Sequence, residues 1–161
     1  MREEVKRQWD WADSFLPEVE QILRDNINLL VSINVAPMED DTQRATDMII
    51  NIEGEGQVAV RLRRDDVKYR DLTIRSKAGG RTEIDKIREG FAKWYVYGWI
   101  KNNTIDEWIL VDLDTVRKDK MLDDRRTINN SDGRTGFVFI PVKELMDNNC
   151  LVAYRLQESD T

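Results

Sequence analysis

The chain has 161 residues, one cysteine, no histidine and a net charge of −6, and this length is typical of one domain with a proper core. The absence of histidine excludes Ser-His and Cys-His nucleophile systems, histidine general bases and histidine metal ligands, so a metal here would be oxygen-ligated magnesium or manganese. The acidic balance excludes a broadly basic nucleic-acid binder, although residues 61–77 carry seven basic side chains against three acidic ones.

Three sequence features favour a cytoplasmic protein without a membrane segment. No run approaches the roughly 18 apolar residues that a transmembrane helix needs. The N-terminal residues are too charged for a secretory signal. Cys150 stands alone, which excludes an internal disulfide and suits a reducing compartment.

The N-terminal region is predicted to form two helices, 2–13 and 15–27. Its apolar residues recur at steps of three and four, which is typical of an amphipathic helix. Pro17 falls in the first turn of the second helix, where its missing N–H costs little. A short β-branched run then predicts a strand at 29–35. The apolar residues of the helical pattern are Val5, Trp9, Ala12, Leu16, Val19 and Leu23.

The middle of the chain is predicted to contain a hairpin and a further strand. Segments 47–52 and 57–64 flank a glycine-rich turn at 54–56, and such turns join antiparallel strands. Residues 71–75 alternate strictly between polar and apolar side chains, which predicts another strand.

The second half of the chain is predicted to hold one helix and three strands. Thr82 caps the helix, with Asp85 three residues on in a capping-box-like position. The spacing of the apolar residues extends this helix to about residue 99. The predicted strands are 107–114, 137–141 and 150–155, and the segment 115–135 is polar and loop-like.

This order of elements predicts the fold class. Helices followed by meandering strands, a helix and a strand indicate a sheet flanked by helices, an α+β or three-layer α/β/α domain. The chain is interpreted as a single domain, 1–161. Its parts are an N-terminal helical segment 2–27, a core 29–114 and a C-terminal extension 115–161.

Strand alternation groups several charged residues. Arg61 and Arg63 share one face of strand 57–64, and Asp71, Thr73 and Arg75 share one face of strand 71–75. If the two strands are neighbours, one sheet face presents all five side chains. The alternative is a solvated outer face with cross-strand ion pairs.

An aspartate opens one strand of the hairpin, and an arginine stands midway along the next. This pattern is typical of metal-dependent phosphodiesterase sites, in which a carboxylate holds a divalent cation and a nearby basic group meets phosphate. Asp47 is therefore a candidate metal ligand, and the alternative is a turn residue that starts the strand. Glu83 and Asp85 also have a structural alternative, because the helix dipole favours carboxylates in a first turn.

Together, Thr46-Asp47 and Val58-Ala59-Val60-Arg61, with the elements around them, resemble the PD-(D/E)XK nuclease superfamily of Holliday-junction resolvases and restriction enzymes. In that family a helix leads into a strand, a second strand begins with the metal-binding Asp, and a third carries Glu-x-Lys before a helix and a parallel strand. The resemblance implies a restriction-endonuclease-like α/β/α fold with a central mixed sheet. It also aligns Phe137 to Val142 with the terminal strand that such nucleases often carry.

The sequence departs from the family pattern at two positions. Ala59 stands where the carboxylate is expected, and Arg61 stands where lysine is expected. Arginine does not deprotonate near neutral pH, so Arg61 would stabilise an oxyanion and would not act as a base. The second carboxylate is then expected from Asp71 or Glu83, or the domain is a degenerate member without catalysis.

The resemblance implies a magnesium- or manganese-dependent DNA endonuclease. One alternative is an inactive nuclease-fold domain that binds nucleic acid or a protein partner, and another is an acidic regulatory or inhibitor protein. A homodimer is left open, and the small, acidic, histidine-free chain also resembles phage products. The expected catalytic residues are Asp47, Arg61, Glu83 and Asp71, the metal ligands are Asp47 and Glu83, and the phosphate-binding residues are Arg61, Arg63, Arg75 and Lys77.

Overall fold

The computed structural model describes most of the chain. For Asp47, for the first strand and for part of the first helix it gives the backbone alone. The described residues are 3–27, 33–35, 47–52, 56–64 and 70–157.

Two helices begin the chain, as predicted. They are α1 (Glu3–Asp13) and α2 (Leu16–Asn26). Pro17 lies in the first turn of α2, where no intrahelical bond needs its missing N–H. The predicted strand 29–35 is observed at 33–35, and its remaining residues lie outside the described part of the chain.

The described strands are numbered in chain order. They are β1 (Ile33–Val35), β2 (Asp47–Ile52), β3 (Gly56–Arg64), β4 (Asp71–Lys77), β5 (Trp94–Lys101), β6 (Thr104–Asp112), β7 (Ile128–Asn129), β8 (Gly136–Pro141) and β9 (Leu151–Arg155). The short helices between them are α3 (Glu83–Arg88), α4 (Leu113–Lys118) and α5 (Val142–Asp147).

Six strands form one mixed sheet in the order β1-β2-β3-β5-β6-β9. The hairpin of β2 and β3 is antiparallel, and its register places Asp47 opposite Arg61. The pair β3–β5 is parallel, whereas β5–β6 and β6–β9 are antiparallel. The prediction of a mixed α/β fold with a mixed sheet is confirmed.

The remaining three strands form a second sheet in the order β4-β8-β7. The expectation that β3 and β4 are neighbours in one sheet is therefore wrong. The position beside β3 is taken by β5, because the chain leaves the first sheet after β3 and returns to it only after β4 and α3. The predicted strand 137–141, which the resemblance aligned with a terminal strand, lies in this second sheet as β8.

The prediction of one helix over 82–99 is also wrong. The observed helix α3 ends at Arg88, and residues 94–101 form β5. Gly90 and Ala92 adopt positive φ angles of 101° and 59°, which break the helix. The strand predicted at 107–114 is observed as β6, which ends at Asp112. It ends there because the Asp112 side chain accepts hydrogen bonds from backbone N–H groups that begin α4.

The two faces of the six-stranded sheet bury different cores. On one face Val58, Val60 and Leu62 pack with apolar residues of α2. On the other face Ala59 and three aromatic residues of β5 pack with the inner side of the second sheet and with α3, α4 and α5; these aromatic residues are Tyr95, Tyr97 and Trp99. None of the helices that the structure describes has the length and the apolar character that a membrane crossing requires.

Candidate functional site

Arg61 lies in the middle of β3, on the face that packs toward the second sheet. Its side chain is buried and reaches across the gap between the two sheets. Nη1 donates a hydrogen bond of 2.7 Å to the carbonyl oxygen of Thr73 in β4. Nη2 lies 3.2 Å from Oε1 of Glu83. Arg61 thus connects three elements, β3, β4 and α3, through these two contacts.

Glu83 is the first residue of α3 and is only 2 % exposed. A capping box between Thr82 and Asp85 fixes the start of this helix, so the position of Glu83 is set by local structure. The bonds from Thr82 to the Asp85 carboxylate also lower the pKa of Asp85.

Both carboxylate oxygens of Glu83 accept hydrogen bonds. Oε1, which faces Arg61, also accepts the backbone N–H of Arg75 at 3.1 Å. Oε2 accepts the hydroxyl of Tyr95 in β5 at 2.9 Å. A buried carboxylate costs free energy unless it is paired and hydrogen-bonded, and Glu83 meets both conditions.

The other two carboxylates expected at the site are those of Asp47 and Asp71. Asp47 lies opposite Arg61 in the register of β2 and β3, but its side chain lies outside the described part of the structure. The expected approach of the Asp47 and Glu83 carboxylates therefore stays a prediction. Asp71 is the first residue of β4, and partial burial raises its pKa.

The donor set around Arg61 does not fit a divalent cation. Magnesium prefers carboxylate oxygens that leave room for several waters, whereas Glu83 is enclosed and hydrogen-bonded on both oxygens. The side chain of Ala59 offers no oxygen ligand. Among the residues whose side chains are described, no three Asp, Glu or Cys groups are close enough together to share a metal.

The four residues expected to bind phosphate do not form one surface. Arg61 is buried between the sheets. Arg63 donates from Nη1 to the Tyr97 hydroxyl at 3.0 Å. Arg75, on β4 of the second sheet, lies over the ring of Phe137 on the neighbouring strand β8, with its guanidinium carbon 5.5 Å from the ring centroid.

Lys77 is the exposed member of this set, and its ammonium group contacts the end of β7 and the turn that follows it. Nζ donates to the side-chain oxygen of Asn129 at 3.3 Å and to the carbonyl of Gly133 at 3.2 Å. The expected shared polar face of Arg61, Arg63 and Arg75 is therefore wrong, because β3 and β4 belong to different sheets.

A second buried ion pair lies beside this site and was not predicted. Arg70 contacts Glu107 of β6 through Nε and lies over the ring of Trp99 at 5.0 Å. The other carboxylate oxygen of Glu107, Oε1, accepts a hydrogen bond of 3.0 Å from the backbone N–H of Gln157. The sequence signal was a glutamate directly before the apolar run 108–111 of a predicted strand, since a buried carboxylate at such a position requires a partner.

Comparison of the chain with protein-family models, with curated proteins and with solved structures gives no significant match.

Proposed function

We propose that this chain is a restriction-endonuclease-like domain that acts by binding a protein partner and does not cut DNA. One observation carries the proposal. Glu83, the carboxylate that meets the motif arginine, is enclosed and has both oxygens engaged by Arg61, Arg75 and Tyr95. A catalytic carboxylate must reach a metal, water or phosphate, and this one is placed to hold the two sheets together.

The order of elements supports the restriction-endonuclease-like part of the proposal. Helix α2 leads to β1, β2 begins at Asp47, β3 carries Arg61, and α3 then precedes β5, which is parallel to β3. The helices α1 and α2 cover one face of the sheet, and the second sheet and three short helices cover the other. This arrangement favours the three-layer interpretation, with a small sheet included in one outer layer.

Charge supports a protein partner over DNA. Protein–DNA affinity depends on cations that reach phosphates, and Arg61, Arg63 and Arg75 are buried or half-buried against protein groups. The net charge of −6 opposes approach to a polyanion and favours a basic partner. This is also the charge expected of an acidic regulatory protein.

A magnesium-dependent DNA nuclease is the second candidate, and one observation favours it. Asp71 and Glu83 were the two candidates for the carboxylate that Ala59 does not supply. Glu83 does lie beside Arg61, and Arg61 is the register partner of Asp47 in the hairpin of β2 and β3. For this function the Arg61–Glu83 pair has to open, because only then does Glu83 become available to a ligand.

A cleavage assay separates the two candidates. Supercoiled plasmid, linear duplex and a four-way junction are incubated with the protein in magnesium or manganese, beside Asp47→Asn as the matched control. The proposal expects no cleavage above that of Asp47→Asn. Cleavage by the natural chain that Asp47→Asn removes would overturn the proposal and establish the nuclease.

A further inference from the structure

The strand β9 forms one edge of the six-stranded sheet. Among the described strands only β6 pairs with it, so its outer side faces no strand in the described part of the chain. The open N–H and C=O groups of an edge are a template for pairing with a further strand. Natural proteins protect such edges with charged side chains, proline, bulges or a covering segment. The residues of β9 therefore decide whether this edge is protected.

Charge does not protect the outer side of β9. Residues 148–154 include no charged residue and no proline. The charged residue of the strand is Arg155, and its guanidinium turns toward β6. Nε donates to the carbonyl oxygen of Asp106 at 3.1 Å, and Nη2 donates to the carbonyl oxygen of Ile105. This cation is therefore committed to the side of β9 that already has a partner.

Two large apolar side chains of β9 are exposed instead. Val152 is 43 % exposed and Tyr154 is 50 % exposed, whereas Leu151 packs partly against the core between the two sheets. Val152 has no register partner on β6, so it forms a bulge, which is one of the protective features. The bulge affects only the start of the strand, because the pairing with β6 is regular from Ala153 to Arg155.

The residues of β9 are complementary to a second copy of the same strand. In an antiparallel pair about a two-fold axis near Ala153, Tyr154 of each copy lies beside Leu151 and Val152 of the other. Arg155 then lies beside the apolar start of the other strand, so no like charges face each other across the pair. This neutrality matters because each copy carries a net charge of −6, which opposes contact through its acidic surfaces.

A strand of another protein is the alternative occupant. To select one such strand by its sequence, β9 would need polar or charged side chains that recognise it. Between Leu151 and Tyr154 the hydroxyl of Tyr154 is the only polar side-chain group. The apolar match with a second copy needs no such groups, and it is present twice in a two-fold pair.

We propose that β9 is a self-association edge, through which two copies of the chain pair antiparallel and join their sheets into one. A two-fold pair uses the edge of both copies, so assembly stops at the dimer. Because one short strand buries less surface than a stable dimer does, we expect a dissociation constant on the order of 10–100 µM. This inference does not rest on the proposed function, and the cleavage assay tests that function separately.

Sedimentation equilibrium of the full chain, at concentrations from about 5 to about 500 µM, measures the association. Tyr154→Lys and Val152→Lys place a cation on the edge, as natural edge strands do. Phe139→Lys and Ile128→Lys are matched controls, because Phe139 (38 %) and Ile128 (52 %) are comparably exposed but lie on the second sheet. Hydrogen exchange of the backbone amides of residues 151–154, followed at low and high concentration, tests whether the contact is strand pairing.

The natural chain is expected to change from the monomer mass to twice that mass. Tyr154→Lys is expected to raise the dissociation constant at least about tenfold, because the substitution occurs twice in a two-fold interface. Both controls should dimerise like the natural chain. Exchange of the 151–154 amides should slow with concentration in the natural chain but not in Tyr154→Lys.

Three results would overturn the proposal: a natural chain that stays monomeric at the highest concentration, a dimer that both β9 variants leave unchanged, or growth beyond the dimer. A labelled peptide with the sequence of residues 148–157 and a scrambled peptide of the same composition test the alternative occupant. Tighter binding of the peptide with the natural sequence supports self-recognition. Equal binding of both peptides by a monomeric chain would assign the edge to strands of other proteins.

Discussion

The guanidinium of Arg61 and the carboxylate of Glu83 lie 3.2 Å apart where the two sheets meet, and neither group is open to water. The pair spans β3 and α3, and the remaining bonds of Glu83 reach β4 and β5. A pair of this kind contributes little net free energy compared with well-packed apolar groups, but the loss of one partner leaves a buried charge without compensation. Its removal therefore tests whether it is structural.

Glu83→Gln is expected to lower the free energy of unfolding by about 3–5 kcal/mol, because Arg61 stays buried and charged. Urea unfolding followed by tryptophan fluorescence measures the change. Glu89→Gln removes the carboxylate of an exposed pair with Arg81 and is expected to cost less than about 1 kcal/mol. Arg61→Met added to Glu83→Gln should recover part of the loss. Equal, small losses in Glu83→Gln and Glu89→Gln would contradict the structural role.

Asp71→Asn is expected to stabilise the protein at pH 7. Burial raises the pKa of Asp71, so the folded state favours its protonated form. Its favourable contribution is present below the unfolded pKa near 3.8 and is lost as the pH rises through the raised folded value. Urea unfolding at several pH values between 4 and 7 should show the gain of Asp71→Asn shrinking as the pH falls.

Asp85→Asn is the control for this experiment, because the pKa of Asp85 is shifted in the opposite direction to that of Asp71. Bonds from Thr82 lower the pKa of Asp85, so its contribution is present above the unfolded value and is lost as the pH falls through the lowered one. The substitution should destabilise at pH 7. The same sign of effect for both variants would contradict the assignment of burial as the cause at Asp71.

Cys150 is expected to be inert in the folded protein. Burial raises the pKa of its thiol to about 11, and the thiol lies 3.1 Å from the sulfur of Met121. Since the thiolate is the reactive form, iodoacetamide at pH 8 should label the native chain about a hundredfold more slowly than the urea-unfolded chain. Mass spectrometry of timed samples measures both rates. Equal rates would show that Cys150 is accessible.

Local patterns predicted the N-terminal helices and the hairpin of β2 and β3. The helices were predicted because their apolar residues follow a period of about 3.6, and the hairpin because a glycine-rich turn separates its two segments. In the segment 94–101, residues 94–99 were assigned to a helix because Trp94 continues the spacing of Ile84 and Ile87. The segment is a strand buried on both faces, beside parallel β3, and such strands are continuous apolar runs without a readable period.

The site was predicted in part. Arg61 and Glu83 were both named from the sequence, and they do meet. The partners of Glu83 were not predicted, because Tyr95 was assigned to a helix and Arg75 to a face shared with Arg61. Alternation shows which residues share a face of one strand, but it carries no information on which sheet the strand joins.

The placement of β4 affects how the chain folds during synthesis. β4 leaves the ribosome before β5. Among the described strands it pairs with β8 alone, and β8 lies much later in the chain, at Gly136–Pro141. Leu72 and Ile74 therefore stay without their facing residues Val138 and Ile140 until most of the chain has been translated. Nascent chains that stop between α4 and β8 should expose this apolar strand and become clients of chaperones.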